Sequence, residues 1–181
     1  MTPHEDIGQP TSLDAAFFDD TGAPRLLVEC KLVEREFGSC SVFAGGDCPG
    51  RNPLGALDQC YLYHIGRTYW RRMAEHGIAE ALSGQAVCPF TSCYQFFREL
   101  LFALEKGATF AVLSDRRSAV FEGPGGWGLV PFMKSLLPPD LRNRVVSLCI
   151  QDLVTVIEAS GRHADWIQDF REKYGLQEQQ K

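Results

Sequence analysis

A charged triplet set inside an otherwise apolar strand constrains this chain most. Residues 25–33 read Arg-Leu-Leu-Val-Glu-Cys-Lys-Leu-Val. The apolar positions mark an interior strand of a sheet, and Glu29 and Lys31 interrupt it. Ser12 to Phe18 reads as the strand before it, and Asp19-Asp20-Thr21-Gly22-Ala23-Pro24 between them has turn chemistry. A symmetric turn about Thr21-Gly22 places Asp14 opposite Glu29 and Ser12 opposite Lys31. Cross-strand partners share a face, and so do residues two apart on one strand. Asp14, Glu29 and Lys31 are therefore predicted to converge on one patch. Leu26, Val28, Cys30 and Leu32 face a core on the other side. Two carboxylates this close stay ionised together only beside a cation or Lys31. Oxygen donors select Mg²⁺ or Mn²⁺ over zinc, and such an ion suits phosphodiester chemistry. The plain alternative is a surface hairpin laced by cross-strand salt bridges.

Length and composition bound the rest. The 181 residues suit one domain with a real core, and 45% hydrophobic content excludes a disordered chain. A net charge of −5 argues against a broad, non-specific coat for nucleic acid, which depends on excess Lys and Arg. Basic residues do cluster at Arg67, Arg71 and Arg72, at Arg116 and Arg117, and at Arg142 and Arg144, and each cluster reads as a solvated face. There is no signal peptide and no apolar run of transmembrane length, so a cytoplasmic location and no membrane partner are expected. The seven cysteines are odd in number and are expected to be reduced. No C-x₂-C pair occurs and Cys88-x₄-Cys93 is the one close spacing, so the thiols read as small buried hydrophobes.

Along the chain, residues 1–10 are polar and read as loose. Residues 38–56 carry seven glycines and prolines and read as a loop. Leu57 to Glu75 reads as one long helix ending near Gly77, and Ser92 to Lys106 as a second with Gly107 just past it. Thr109 to Ser114 reads as a buried strand, Ser118 to Phe121 as an edge strand, and Glu122 to Gly128 as a glycine-rich loop. Val145 to Ile150 reads as a short strand or the lead into a helix around Asp152 to Ala159, and Ala164 to Tyr174 as a last amphipathic helix. The sum is a single α/β domain with a mixed sheet flanked by helices.

Thr-Ser-Leu-Asp-Ala-Ala-Phe-Phe (11–18), a hairpin turn and Leu-Leu-Val-Glu-Cys-Lys (26–31) resemble the active-site hairpin of the PD-(D/E)XK nuclease superfamily. They are most similar to its bacterial restriction-endonuclease branch. There, a segment like Tyr94-Gln95-Phe96-Phe97-Arg98-Glu99-Leu100-Leu101 forms a helix, and a core strand like Ala108 to Ser114 follows. The resemblance implies a restriction-endonuclease-like core and a Mg²⁺- or Mn²⁺-dependent nuclease hydrolysing phosphodiester bonds, with DNA as the expected substrate. It makes Asp14 and Glu29 metal ligands and Lys31 the catalytic lysine. It adds Gln95 as a site residue, because a helical Gln near this place faces the active site in related nucleases. The alternative function is a catalytically inactive nuclease-like interaction module.

The superfamily core starts with a helix and a strand ahead of the Asp, and 13 residues precede Asp14 here. The edge they would cover is expected to be apolar and exposed, which makes a homodimer the expected remedy. Two further readings stay open. Ser92-x-x-Gln95 also fits a helix capping box, and Arg98, three residues beyond Gln95, also fits an exposed helix arginine. His64 reads as structural. The GPGGWG run lacks the Lys-Ser/Thr of a phosphate-binding loop, and no G-x-S-x-G is present.

Overall fold

The structure, a computed structural model, describes residues 11–176. The expectation for residues 1–10 lies outside them. Among the described residues four strands form one sheet in the order β1-β2-β3-β4: β1 Ala15–Phe18, β2 Pro24–Lys31, β3 Thr109–Ser114 and β4 Val145–Cys149. β1 is antiparallel to β2, while β2, β3 and β4 run parallel. The hairpin pairs Ala15 with Val28, Ala16 with Leu27 and Phe17 with Leu26, which is the register that sets Asp14 opposite Glu29. A shift between Phe17 and Phe18 pairs Phe18 with Pro24 and closes the turn. β1 is shorter than the expected strand because Asp14 already sits in a bend.

Among the described residues eight α-helices accompany the sheet: α1 Ser41–Ala44, α2 Tyr61–His64, α3 Tyr69–Glu75, α4 Ile78–Ala81, α5 Tyr94–Glu105, α6 Leu129–Ser135, α7 Ile150–Ala159 and α8 Ile167–Tyr174. This is a mixed sheet flanked by helices, the α/β, restriction-endonuclease-like fold expected. None of the described helices is long and apolar enough to cross a membrane.

Both faces of the sheet are covered. Leu27, Phe110 and Val112 face a large core with α3 and α5, built on Trp70, Phe90, Phe96, Phe97 and Met73. Val28, Ala111 and Leu113 face a smaller one with α7, α8 and Leu176, where Ile150, Val154 and Ile167 pack. The parallel pairing explains the continuous apolar run of β3, which is buried from both sides. α5 forms because apolar residues recur at helical spacing, and Gly107 with φ 69° ends it.

Two expectations are corrected. Leu57–Glu75 is not one helix. A 3₁₀ turn at Leu57–Gln59 gives way to extended backbone at Cys60, and Gly66 with φ 79° separates α2 from α3. A left-handed residue cannot propagate an α-helix, so apolar periodicity carried through a break. Ser118–Phe121 is a turn and not an edge strand. Val120 and Phe121 instead accept backbone hydrogen bonds from Leu129 and Val130, which fold the glycine-rich loop back over them. Val145–Cys149 is a strand that passes directly into α7, so both readings of that segment hold.

Phe96 sits edge-on to Phe37, Phe97 and Phe110 at ring separations of 5.2, 5.5 and 5.7 Å and joins α5 to β3. Phe96→Ala opens a cavity there. It is expected to cost about 3–5 kcal/mol of stability, read as a lowered midpoint in urea unfolding.

Candidate active site

β2 carries Glu29 and Lys31 on the face that looks at α5, so the alternation that buries Leu27 also buries both charges. Glu29 is 7% and Lys31 5% exposed, which rules out the plain surface hairpin. The opposite face, with Leu26, Val28, Cys30 and Leu32, packs on the smaller core as expected.

A buried ion pair persists only when its remaining donors and acceptors are satisfied. Here α5 satisfies them. Lys31 Nζ lies 3.3 Å from Glu29 Oε1 and donates to Gln95 Oε1 at 2.7 Å. Gln95 Nε2 donates to Glu29 Oε1 at 2.5 Å and to Glu99 Oε1 at 2.8 Å. The amide of Gln95 is thus aligned by charge, with its oxygen on the ammonium and its nitrogen on two carboxylates. It does not cap α5: the N-cap is Cys93 and no side chain caps the helix. The capping-box reading is replaced by a bridge between helix and strand. Arg98 lies against the ring of Tyr94, 5.8 Å from its centroid, and makes no bond to this cluster.

Asp14 reaches the cluster from the other strand. Its backbone N–H donates to Val28 O at 3.1 Å, and its Oδ2 accepts the backbone N–H of Cys30 at 2.7 Å. The side chain continues the β1–β2 pairing where β1 has ended. It stands close enough to raise the Glu29 pKa, although Asp14 itself is exposed.

Glu99 is a member of the cluster that the sequence did not show. It is fully buried. Burial first, and then the charge of Glu29, pushes its carboxyl up to about 8. Glu29 is raised as well, by burial and by Asp14, against the opposing pull of Lys31. The signal for Glu99 was its place four residues after Gln95, hence on the same helix face. The apolar run around it concealed the role.

The donor set fits a hard divalent cation. Glu99 Oε2 is buried without a hydrogen-bond partner, and burial first, with the neighbouring carboxylates adding to it, raises both carboxyls. Asp14 is exposed, while Glu29 is buried beneath α5. No group of three or more His, Cys, Asp and Glu among the described residues is placed to hold an ion. Two carboxylates nonetheless suit Mg²⁺, which keeps several waters and takes substrate phosphate oxygens.

Most of the clustered arginines are already engaged. Arg72 pairs with Glu75 and Glu105, Arg116 with Asp152, and Arg117 with Asp115, whose carboxyl it holds far below the ordinary carboxylate range. Arg142 and Arg144 donate to the carbonyls of Leu137 and Ala108. His64 ends α2 on the surface, away from the cluster.

A four-stranded mixed sheet flanked by helices is the architecture of a restriction-endonuclease-like protein. The chain belongs to the family described as restriction endonuclease associating with ARP, whose model matches residues 1–175. No curated protein and no solved structure matches it significantly.

Glu99 makes stability depend on pH in a defined direction. Its folded pKa, about 8, lies above its ordinary value of 4.5, so the folded state binds the proton more tightly. The stabilisation is full below the unfolded value and is lost as pH rises through the folded one. In chelator, unfolding free energy should fall between these two pH values by up to about 1.4 kcal/mol per unit. Glu99→Gln should flatten that slope in urea titrations across the same range.

Proposed function

We propose that this protein is a Mg²⁺- or Mn²⁺-dependent nuclease of PD-(D/E)XK type that hydrolyses phosphodiester bonds in DNA, working in the cytoplasm. The observation that carries the reading is the buried Glu29–Lys31 pair on an interior strand, locked by Gln95 and facing Asp14. Membership of a restriction-endonuclease family supports it.

Asp14 and Glu29 are the residues that would hold the cation. When bound, it polarises the phosphodiester and lowers the pKa of its water. Lys31 presents a fixed ammonium, aimed by Gln95 Oε1, that orients the attacking water and offsets charge developing on the phosphorus oxygens. Gln95 is a positioning residue, since it holds both Lys31 and Glu29 in their rotamers. Glu99, protonated at neutral pH, leaves the Glu29 charge to the cation and the lysine.

A second reading is favoured by one observation. Arg72, Arg116, Arg117, Arg142 and Arg144 are each engaged by a carboxylate or a carbonyl, so an inactive nuclease-like interaction module accounts for the surface equally well. Cleavage decides between them. Purified protein with plasmid DNA should nick or cut it in Mg²⁺ or Mn²⁺ and not in EDTA. Asp14→Ala, Glu29→Gln and Lys31→Met should each lower the rate on the order of 10²–10⁴-fold, with circular dichroism confirming that each variant folds. Equal cleavage by wild type and all three variants would assign the activity to a contaminant and leave the interaction module.

The reading extends to a homodimer. β1 is an outer strand of the sheet and exposes Phe17 and Phe18, so a second copy is proposed to cover it. Light scattering should give twice the chain mass, falling toward the monomer for Phe17→Lys. A monomer at all concentrations would remove the dimer without touching the nuclease proposal.

A further inference from the structure

Away from the hairpin, four of the seven cysteines come together. Cys40 precedes α1, Cys48 lies in the loop after it, Cys60 precedes α2, and Cys88 precedes a 3₁₀ turn at Pro89–Thr91. All four line one pocket, whose other walls are apolar or aromatic, among them Phe43, Leu62 and Phe90. None forms a disulfide.

The frame around the pocket is backbone. Cys88 N–H donates to Gly50 O at 2.8 Å, Cys40 N–H to Phe90 O at 2.7 Å, and Asn52 N–H to Ala86 O at 3.0 Å. Three segments distant in sequence are thereby tied edge to edge. Two of the cysteines open a Cys-Pro turn, Cys48-Pro49-Gly50 and Cys88-Pro89-Phe90. In the first, Gly50 N donates to Cys48 Sγ at 3.4 Å. Trp70 Nε1 donates to Cys60 Sγ at 3.3 Å. Gly50 is required there: its φ is 72°, and a Cβ would come within 2.7 Å of the Phe43 ring.

Two sulfurs of the four therefore receive N–H donors, which favour sulfur carrying negative charge. A thiol acting only as a small hydrophobe needs no such donor. Four thiols from four separate segments lining one pocket make a ligand set of soft donors, which a thiophilic metal takes as thiolates.

We propose that Cys40, Cys48, Cys60 and Cys88 together ligate a thiophilic metal centre. An iron–sulfur cluster and a zinc ion are the two sources of that tetrathiolate chemistry. The thiols ring the pocket and do not meet at a point, since no three metal-ligating groups among the described residues are set around one ion. A polynuclear cluster meets a wider ring, whereas zinc draws the sulfurs in by rotation of the cysteine side chains. Each thiol releases its proton as its sulfur–metal bond forms. The centre would fasten the loops between β2 and α5. It is distinct from the carboxylate site, which takes a hard cation.

The test is metal content of the full chain, purified anaerobically, with separate reconstitution by Zn²⁺ and by iron plus sulfide. A cluster shows roughly equal iron and acid-labile sulfide with broad visible absorption. A zinc centre shows about one colourless ion per chain. Either supports the centre and names its source. Cys48→Ser and Cys88→Ser should each lower bound metal several-fold, while Cys149→Ser retains it. Should either variant fail to fold, thiol alkylation of the wild type decides: four thiols should be protected until a chelator is added. Wild type that binds neither metal after reconstitution, or binds it as well as the Cys48→Ser/Cys88→Ser variant, overturns the proposal.

Discussion

The ammonium of Lys31 beneath α5 is the interaction on which the rest of this structure depends. Removing a lysine and a glutamate from water costs several kcal/mol for each ion, and their mutual attraction offsets this only with complete hydrogen bonding. Gln95 supplies bonds to both ions, and Glu99 holds Gln95 from the same helix face. That requirement fixes how α5 is rotated against β2. With Gln95 and Glu99 committed to the strand, Phe96, Phe97, Leu100 and Leu101 fill the core around them. The charged site and the aromatic core thus share one helix orientation, and neither is adjustable alone.

Strand direction explains where the site opens. β2, β3 and β4 run parallel, and Lys31 pairs with Ser114 at their carboxyl ends. In open α/β sheets the crevice beyond those ends is where ligands sit. Asp115, Gln151 and Arg117 continue the polar rim there, with Gln151 Nε2 and Arg117 both on Asp115. The rim is neutralised within itself. Its role is to brace the strand ends, and two exposed acids stand beside the buried pair: Asp14 at the outer strand, and Glu34, whose Oε1 lies 3.9 Å from Lys31 Nζ.

The hairpin was legible because a tight turn and period-two alternation leave one register that buries the apolar face. β3 was legible to the residue because a doubly buried strand is an unbroken apolar run. Helix breaks were not, since Cys60 and Gly66 interrupt a segment whose apolar periodicity runs on. Glu99 was hidden by its apolar neighbours, and Gln95 was ambiguous because a capping box and a buried bridge use the same residue types at the same helix start. The thiol pocket had no spacing signal at all. Its four cysteines come from four loops, and only tertiary backbone bonds such as Cys88 to Gly50 bring them together.

The two sites are mechanically adjoining. Phe90 closes the thiol pocket and packs edge-on to Tyr94 and Phe97 of α5 at 5.8 and 6.0 Å. The helix start is also stitched to the segment leaving β2: Tyr94 N–H donates to Gly38 O, and Gln95 N–H to Phe37 O. Gln95 is therefore held by its backbone to the exit of β2 and by its side chain to Glu29 and Lys31, while its helical neighbours rest on the ring that caps the cysteines. A loop insert of low regular structure, lying between β2 and α5, would move freely if only side chains packed it. Fastening that insert keeps Phe90 seated, and a seated Phe90 keeps α5 turned so that one glutamine reaches both charges of the buried pair.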